Sequence, residues 1–162
     1  MINKLYTVSF TFLLLTLIVG FAKGQVVQKP VAKSFVKFKP PIVKTYLGKI
    51  SGNDVKASIV EVKNIVLLPI KVMDDKEVNY NINSYQFIYK RIGITEDEES
   101  GKTSPQTDIV SNHFTATPLP EIWQKNIIEG LRKGEEIYFF DIIAIDKQGR
   151  RFFAPELKIK VQ

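Results

Sequence analysis

Short runs of alternating apolar and polar residues, separated by turn-forming residues, dominate this chain after residue 41. Such runs predict strands at 42–47, 56–62, 65–72, 77–82 and 85–92. Gly48, Ser51-Gly52-Asn53-Asp54, Asp74-Asp75-Lys76 and Asn83-Ser84 supply the breaks between them. In the run from Tyr85 to Lys90, Tyr85, Phe87 and Tyr89 share one face. A closing hairpin pairs 137–145 with 151–161 across Asp146-Lys147-Gln148-Gly149-Arg150. This hairpin carries Phe140, Ile143, Phe152 and Phe153 where strict alternation would put polar side chains.

Only one helix is predicted, from Thr117 to Gly134. Thr117 is its expected cap, and Pro118 and Pro120 occupy a first turn that needs no N–H. Leu119, Ile122, Trp123, Ile127 and Leu131 form its apolar stripe, and Gly134 stops it. Residues 94–107 break the rhythm with Glu96-Asp97-Glu98-Glu99 followed by Ser, Gly, Lys, Thr, Ser and Pro. Adjacent carboxylates point apart and lack the spacing of a calcium loop, so this stretch predicts a solvated connection. Many short strands with one helix imply a mainly β domain, an antiparallel β-sandwich.

The beginning of the chain has a different character. One Lys at position 4, an apolar run over 8–21, and Ala22 and Gly24 make the three-part pattern of a secretory signal over 1–24. The run is about 14 residues, short of the ~20 that span a bilayer as a helix. Residues 25–41 are rich in Lys and Pro and read as an arm or an edge strand, anchored by Phe35 and Phe38; the β domain is expected over 42–162. The absence of cysteine removes disulfides, lipoprotein acylation, thiolate chemistry and Cys-ligated metals, leaving the core to hold the fold. Export without acylation implies a periplasmic or secreted protein with no membrane span after cleavage.

Charge adds little. The 23 basic and 17 acidic residues give +6, and removing Lys4 and Lys23 leaves 21 against 17, or +4. The lysines are evenly spread, which does not form a nucleic-acid surface. Chemistry is equally sparse. His113 is the single histidine, no serine sits in a nucleophile elbow, and Gly101-Lys102-Thr103 lacks the glycine and strand of a phosphate loop. Asp141 and Asp146 could serve glycoside hydrolysis only across a cleft, and a hairpin offers none. The chain is therefore expected to be non-catalytic, without metal or cofactor.

From Asn112-His-Phe-Thr, through a helix closing on Gly130-Leu-Arg-Lys-Gly134, to Glu135-Glu-Ile-Tyr-Phe-Phe-Asp-Ile142 and Asp146-Lys-Gln-Gly-Arg150, the second half resembles the C-terminal domain of the gliding-motility and type IX secretion protein GldM (PorM in non-gliding relatives). The similarity extends more loosely over 41–161 through Gly48-Lys-Ile-Ser51 and the strand at 85–90. It implies an immunoglobulin-like β domain working in protein–protein contact, with envelope or secretion-system proteins or a second copy as partners. With no helix bundle or preceding domain in the sequence, the resemblance implies a free-standing version.

The resemblance also sharpens the hairpin question. Where the family strand is polar around its Asp, this chain has Phe139-Phe140-Asp141-Ile142-Ile143. Apolar residues at 137, 139, 142 and 144 imply a bulge near 140–141 that points those residues inward. Phe140, Ile143 and Ile145 would then face outward near Phe152 and Phe153, with Asp141 a structural carboxylate. These five apolar residues are the candidate partner-binding set. Burying ~400 Å² of such a patch is worth about 10 kcal/mol before entropic and desolvation costs. Two readings stay open: a docking interface, or internal cover by the arm or helix. A third possibility is a carbohydrate- or small-ligand-binding sandwich that stacks on Trp123 and Tyr80, Tyr85, Tyr89 or Tyr138.

Overall fold

The computed structural model describes residues 37–96, 98–99 and 101–162. The chain divides into two units, Met1–Phe38 and Lys39–Gln162. The expected export segment at 1–24 and most of the arm at 25–41 lie outside the described residues. The second unit is mainly β, and its elements run β1 (Val43–Leu47), β2 (Ile50–Ser51), β3 (Val55–Ala57), α1 (Ile59–Ile65), β4 (Ile70–Asp74), β5 (Asn79–Glu96), β6 (Thr103–Phe114), α2 (Glu121–Gly130), β7 (Glu136–Ile145), β8 (Arg151–Ala154) and β9 (Leu157–Val161).

These strands form one sheet in the order β2-β1-β4-β5-β7-β9-β3, with β6 added to β5 and β8 to β7. Its two terminal strands, β2 and β3, are joined by only the three residues 52–54, so the sheet comes close to closing on itself. The pairing is not antiparallel throughout, as the alternating runs suggested. Strand β3 lies parallel to β9, with Val55 beside Ile159, and the Gln162 amide donates to the Ala57 carbonyl at 2.9 Å.

Inside, the alternation of β5, β7 and β9 delivers Tyr85, Phe87, Tyr89, Ile137, Phe139, Leu157 and Ile159 to one core. Phe87 and Phe139 have ring centroids 4.8 Å apart. Trp123, from α2, meets Phe87 and Phe114 edge-on at 5.6 and 5.5 Å, a favoured geometry for aromatic quadrupoles.

The helix is shorter than predicted. Pro120 stands at its N-cap without a side-chain bond, and Leu131 is extended. Thr117 Oγ1 does not cap α2; it accepts from the Ile70 amide of β4 at 2.8 Å. Ile127 is buried and Leu119 and Leu131 are buried just beyond the helix ends, but Ile122 is 62% exposed and leaves the stripe.

Three further elements depart from the sequence reading. Residues 59–65 form α1, not strand; Ser58 Oγ accepts from the Glu61 amide, and Val62 and Ile65 face inward. The two strands expected at 77–82 and 85–92 are one, β5. Residues 103–114, assigned partly to a loop, form β6, which pairs with β5 from Tyr85↔Phe114 to Glu96↔Thr103. The acidic run then lies at the tip of a ribbon, with Glu96, Glu98 and Glu99 exposed.

A candidate docking face on the outer side of the sheet

The predicted break in alternation is present on β7. Gln86 pairs with Phe140 and Ser84 with Ile143, so Asp141 and Ile142 stand across from Tyr85 alone. Asp141 takes φ +46°, the left-handed conformation that a bulge residue uses and that Asp tolerates better than most side chains. A second offset follows on β5, where Asn83 is extra between Ile82↔Ala144 and Ser84↔Ile143. The two offsets compensate, and pairing resumes in register beyond them.

As a result, Ile137, Phe139, Ile142 and Ala144 all point inward and are buried. Tyr138, Phe140, Ile143 and Ile145 point outward and are half-buried, and Asp141 is exposed. Phe153 lies directly opposite Ile143 on β8, at 72% exposure. Phe152 does not join this face. It pairs with Ala144, so alternation turns it inward, where it is 4% exposed and packs edge-on against Tyr80 at 5.3 Å. The structure thus brings together Phe140, Ile143, Ile145 and Phe153 from the expected set and withdraws Phe152.

Tyr138, considered above only for ligand stacking, and Ile88 extend the outer apolar strip beyond the candidate partner-binding set. Tyr138 stacks on Phe140 at 4.9 Å with the rings 13° from parallel, and its hydroxyl donates to Glu156. Burial, and then Glu156, push the Tyr138 hydroxyl up to about 12. Across the ladder from Tyr138 is Ile88 of β5, followed by Ser111 of β6. Ile88 and Tyr138 line a shallow depression of about 320 Å³ together with Ile109, Lys90, Lys158 and Asp54. The signal for Ile88 was available: it falls on the opposite phase from Tyr85, Phe87 and Tyr89, so it had to face outward.

Charges rim this strip on one side. Glu136 collects Lys90 at 3.8 Å and Lys158 and Lys160 at 3.7 Å, and Lys158 also meets Asp54 at 2.9 Å. Asp54, and then Glu136, raise the Lys158 ammonium above its ordinary range. Three lysines and two carboxylates thus pair with one another along one border of the apolar strip.

The aromatic residues considered for ligand stacking are mostly used within the domain. Tyr85 and Tyr89 are interior; their hydroxyls donate to the Ala116 carbonyl at 3.0 Å and to Glu135 at 2.5 Å. Tyr80 donates to Asp74, and Trp123 is engaged with Phe87 and Phe114. Of the two carboxylates weighed for hydrolysis, Asp146 is committed to its turn. It accepts from the Gln148 and Arg150 amides and from Arg150 Nε at 2.7 Å. Burial pushes its carboxyl up, but the bonds from Arg150 and Gln148 outweigh that and hold it below the usual range. His113 is exposed on β6, opposite Gln86. No helix among the described residues is long and apolar enough to cross a membrane. Compared with protein-family models and with curated proteins, the chain matches neither.

Proposed function

We propose that this chain is a non-catalytic protein–protein interaction module of the cell envelope. It is exported to the periplasm by residues 1–24 and docks an envelope or secretion-system protein through the outer face of β7 and β8. The observation that carries this reading is the bulge at Asp141, which leaves Ile143 and Phe153 paired on the solvent side beside Phe140. Large apolar side chains clustered on an exposed face favour association. The second-half resemblance to the GldM C-terminal domain supports the same role, and with it an immunoglobulin-like ancestry for the sheet and a link to type IX secretion or gliding.

The test replaces Ile143 with Lys and Phe153 with Glu together and compares chemical cross-linking in the producing cell's envelope. The double variant is expected to keep the wild-type melting temperature and to lose a cross-linked partner band that the wild-type chain forms. An unchanged cross-linking pattern, or a variant that no longer folds because the face is core, would refute the proposal.

A further inference from the structure

The sheet has one long open margin among the described residues, the outer edge of β6, which pairs with β5 alone. Which backbone groups it presents follows from the hydrogen-bond phase. The Ile92 amide donates toward β7, to Glu135 Oε1 at 3.2 Å. Even-numbered residues of this part of β5 therefore bond toward β7 and odd-numbered ones toward β6, since successive peptide groups alternate sides. Ile92 faces Thr107, so Thr107, Ile109, Ser111 and His113 turn their N–H and C=O groups to the open edge. The His113 amide agrees with this phase, because it is met by Asn112 Oδ1 at 2.8 Å and not by β5.

The open stretch is bounded at both ends. Pro105 has no N–H to offer, and the His113 N–H is occupied. Between them, Thr107-Asp108-Ile109-Val110-Ser111 contains no Lys, Arg or Pro, the residues that usually guard a free edge. The only charge, Asp108, is engaged by Arg91 of β5. Ile109 is 60% exposed at the centre.

We infer that this edge pairs with the same edge of a second copy, antiparallel about a two-fold axis at Ile109. The sequence is self-complementary in that register. Ile109 faces Ile109 of the other copy, an apolar pair, and Thr107 faces Ser111, a hydroxyl pair; both are favourable cross-strand combinations. Asp108 falls opposite Val110, so no like charges meet. Thr107, Ile109 and Ser111 exchange both backbone bonds with their counterparts, and the ladder stops where Pro105 meets His113. The outer faces of the two copies then form one surface, with Ile109 next to the Ile88–Tyr138 depression on each side. This joint does not depend on the docking role of Phe153.

The chain has no cysteine, which makes the register directly testable. Residues in a hydrogen-bonded antiparallel pair have Cα atoms about 5.5 Å apart, within disulfide reach. The full chain is expected to sediment as a dimer. Ile109→Lys is expected to make it monomeric with an unchanged circular dichroism spectrum, while Phe153→Glu leaves the dimer intact. Ile109→Cys should give a rapid disulfide-linked dimer, and Thr107→Cys, which lies across from Ser111, should cross-link far more slowly. A monomeric wild-type chain, a dimer indifferent to Ile109→Lys, or equal cross-linking at positions 107 and 109 would each overturn the inference.

Discussion

The Tyr89 hydroxyl donates to the Glu135 carboxylate at 2.5 Å, and both residues are buried. The same carboxylate accepts from the Arg132 amide at 3.0 Å and the Ile92 amide at 3.2 Å. One side chain thus ties β5 to the turn that leads from α2 into β7. Glu135→Leu would orphan all these donors at once, at about 1–3 kcal/mol for each buried group left unmet. Tyr89→Phe removes a single bond to a charged acceptor, worth about 1.5–3 kcal/mol. Denaturant titration should therefore rank Glu135→Leu as the more damaging change, with Glu135→Gln milder than Leu.

The buried tyrosines should make the fold sensitive to alkali. Burial pushes the Tyr85 hydroxyl up to about 12, and burial followed by the Glu135 neighbour raises Tyr89 as well. A phenol with a raised folded-state value holds its proton more tightly when folded. Its contribution is fully present below the unfolded value near 10 and is lost as pH climbs from 10 through 12. Stability is expected to be insensitive to these groups at neutral pH and to fall steeply above pH about 10. Phenolate absorbance recorded during alkaline titration should rise in step with loss of near-ultraviolet circular dichroism; early titration of Tyr85 in a folded chain would contradict this.

Helix α1 depends on a small cap. Ser58 accepts from the Glu61 amide at 3.2 Å, and the helix it starts has only 7 residues, too few to persist without packing. Ser58→Ala should cost about 0.5–2 kcal/mol, and Ser58→Asp, which keeps the acceptor, much less. Thermal melts of the two variants check the ordering.

How far the sequence revealed this fold depended on where the information resided. The register of β7 is legible because the inward residues 137, 139, 142 and 144 are spaced two, three and two apart, and the step of three across Phe140-Asp141 fits a bulge. Asn83-Ser84 predicts a turn; the residues do mark an irregularity, but Asn83 is the extra residue of an offset inside one continuous strand. Strand β6 was hidden because Thr103 to Asn112 carries turn-forming and polar residues on both phases, and its strand state comes from pairing with β5. In α1, β-branched Ile59, Val60 and Val62 suggested extended chain, whereas burial of Val62 and Ile65 outweighs that preference. The Ser58-x-x-Glu61 spacing is the sequence signature of this helix start. Phe152 and Phe153 could not be told apart until the partner strand fixed the phase of β8.

Asp141 holds its left-handed backbone at φ +46° in the middle of a strand. Left-handed geometry costs an ordinary L-residue roughly 1–2 kcal/mol, more for a β-branched one, and glycine nothing. Asp141→Gly should be close to neutral, and Asp141→Val should lose about 2 kcal/mol or more. Equal stability of the two variants by urea denaturation would mean that the bulge does not require this conformation.

Adjacent phenylalanines in β8 should differ sharply in what they contribute to stability. Phe152 is 4% exposed against Tyr80, and Phe153 is 72% exposed across from Ile143. Removing the buried ring forfeits its transfer energy and leaves a cavity, so Phe152→Ala should cost about 3–5 kcal/mol. Phe153→Ala exposes no interior and creates no void, and its effect should lie within about 0.5 kcal/mol. The same pair separates folding from association, since only the outward ring is available to a partner. A chain in which Phe153→Ala proves the more destabilising change would have the phase of β8 reversed, and with it the face on which docking is proposed.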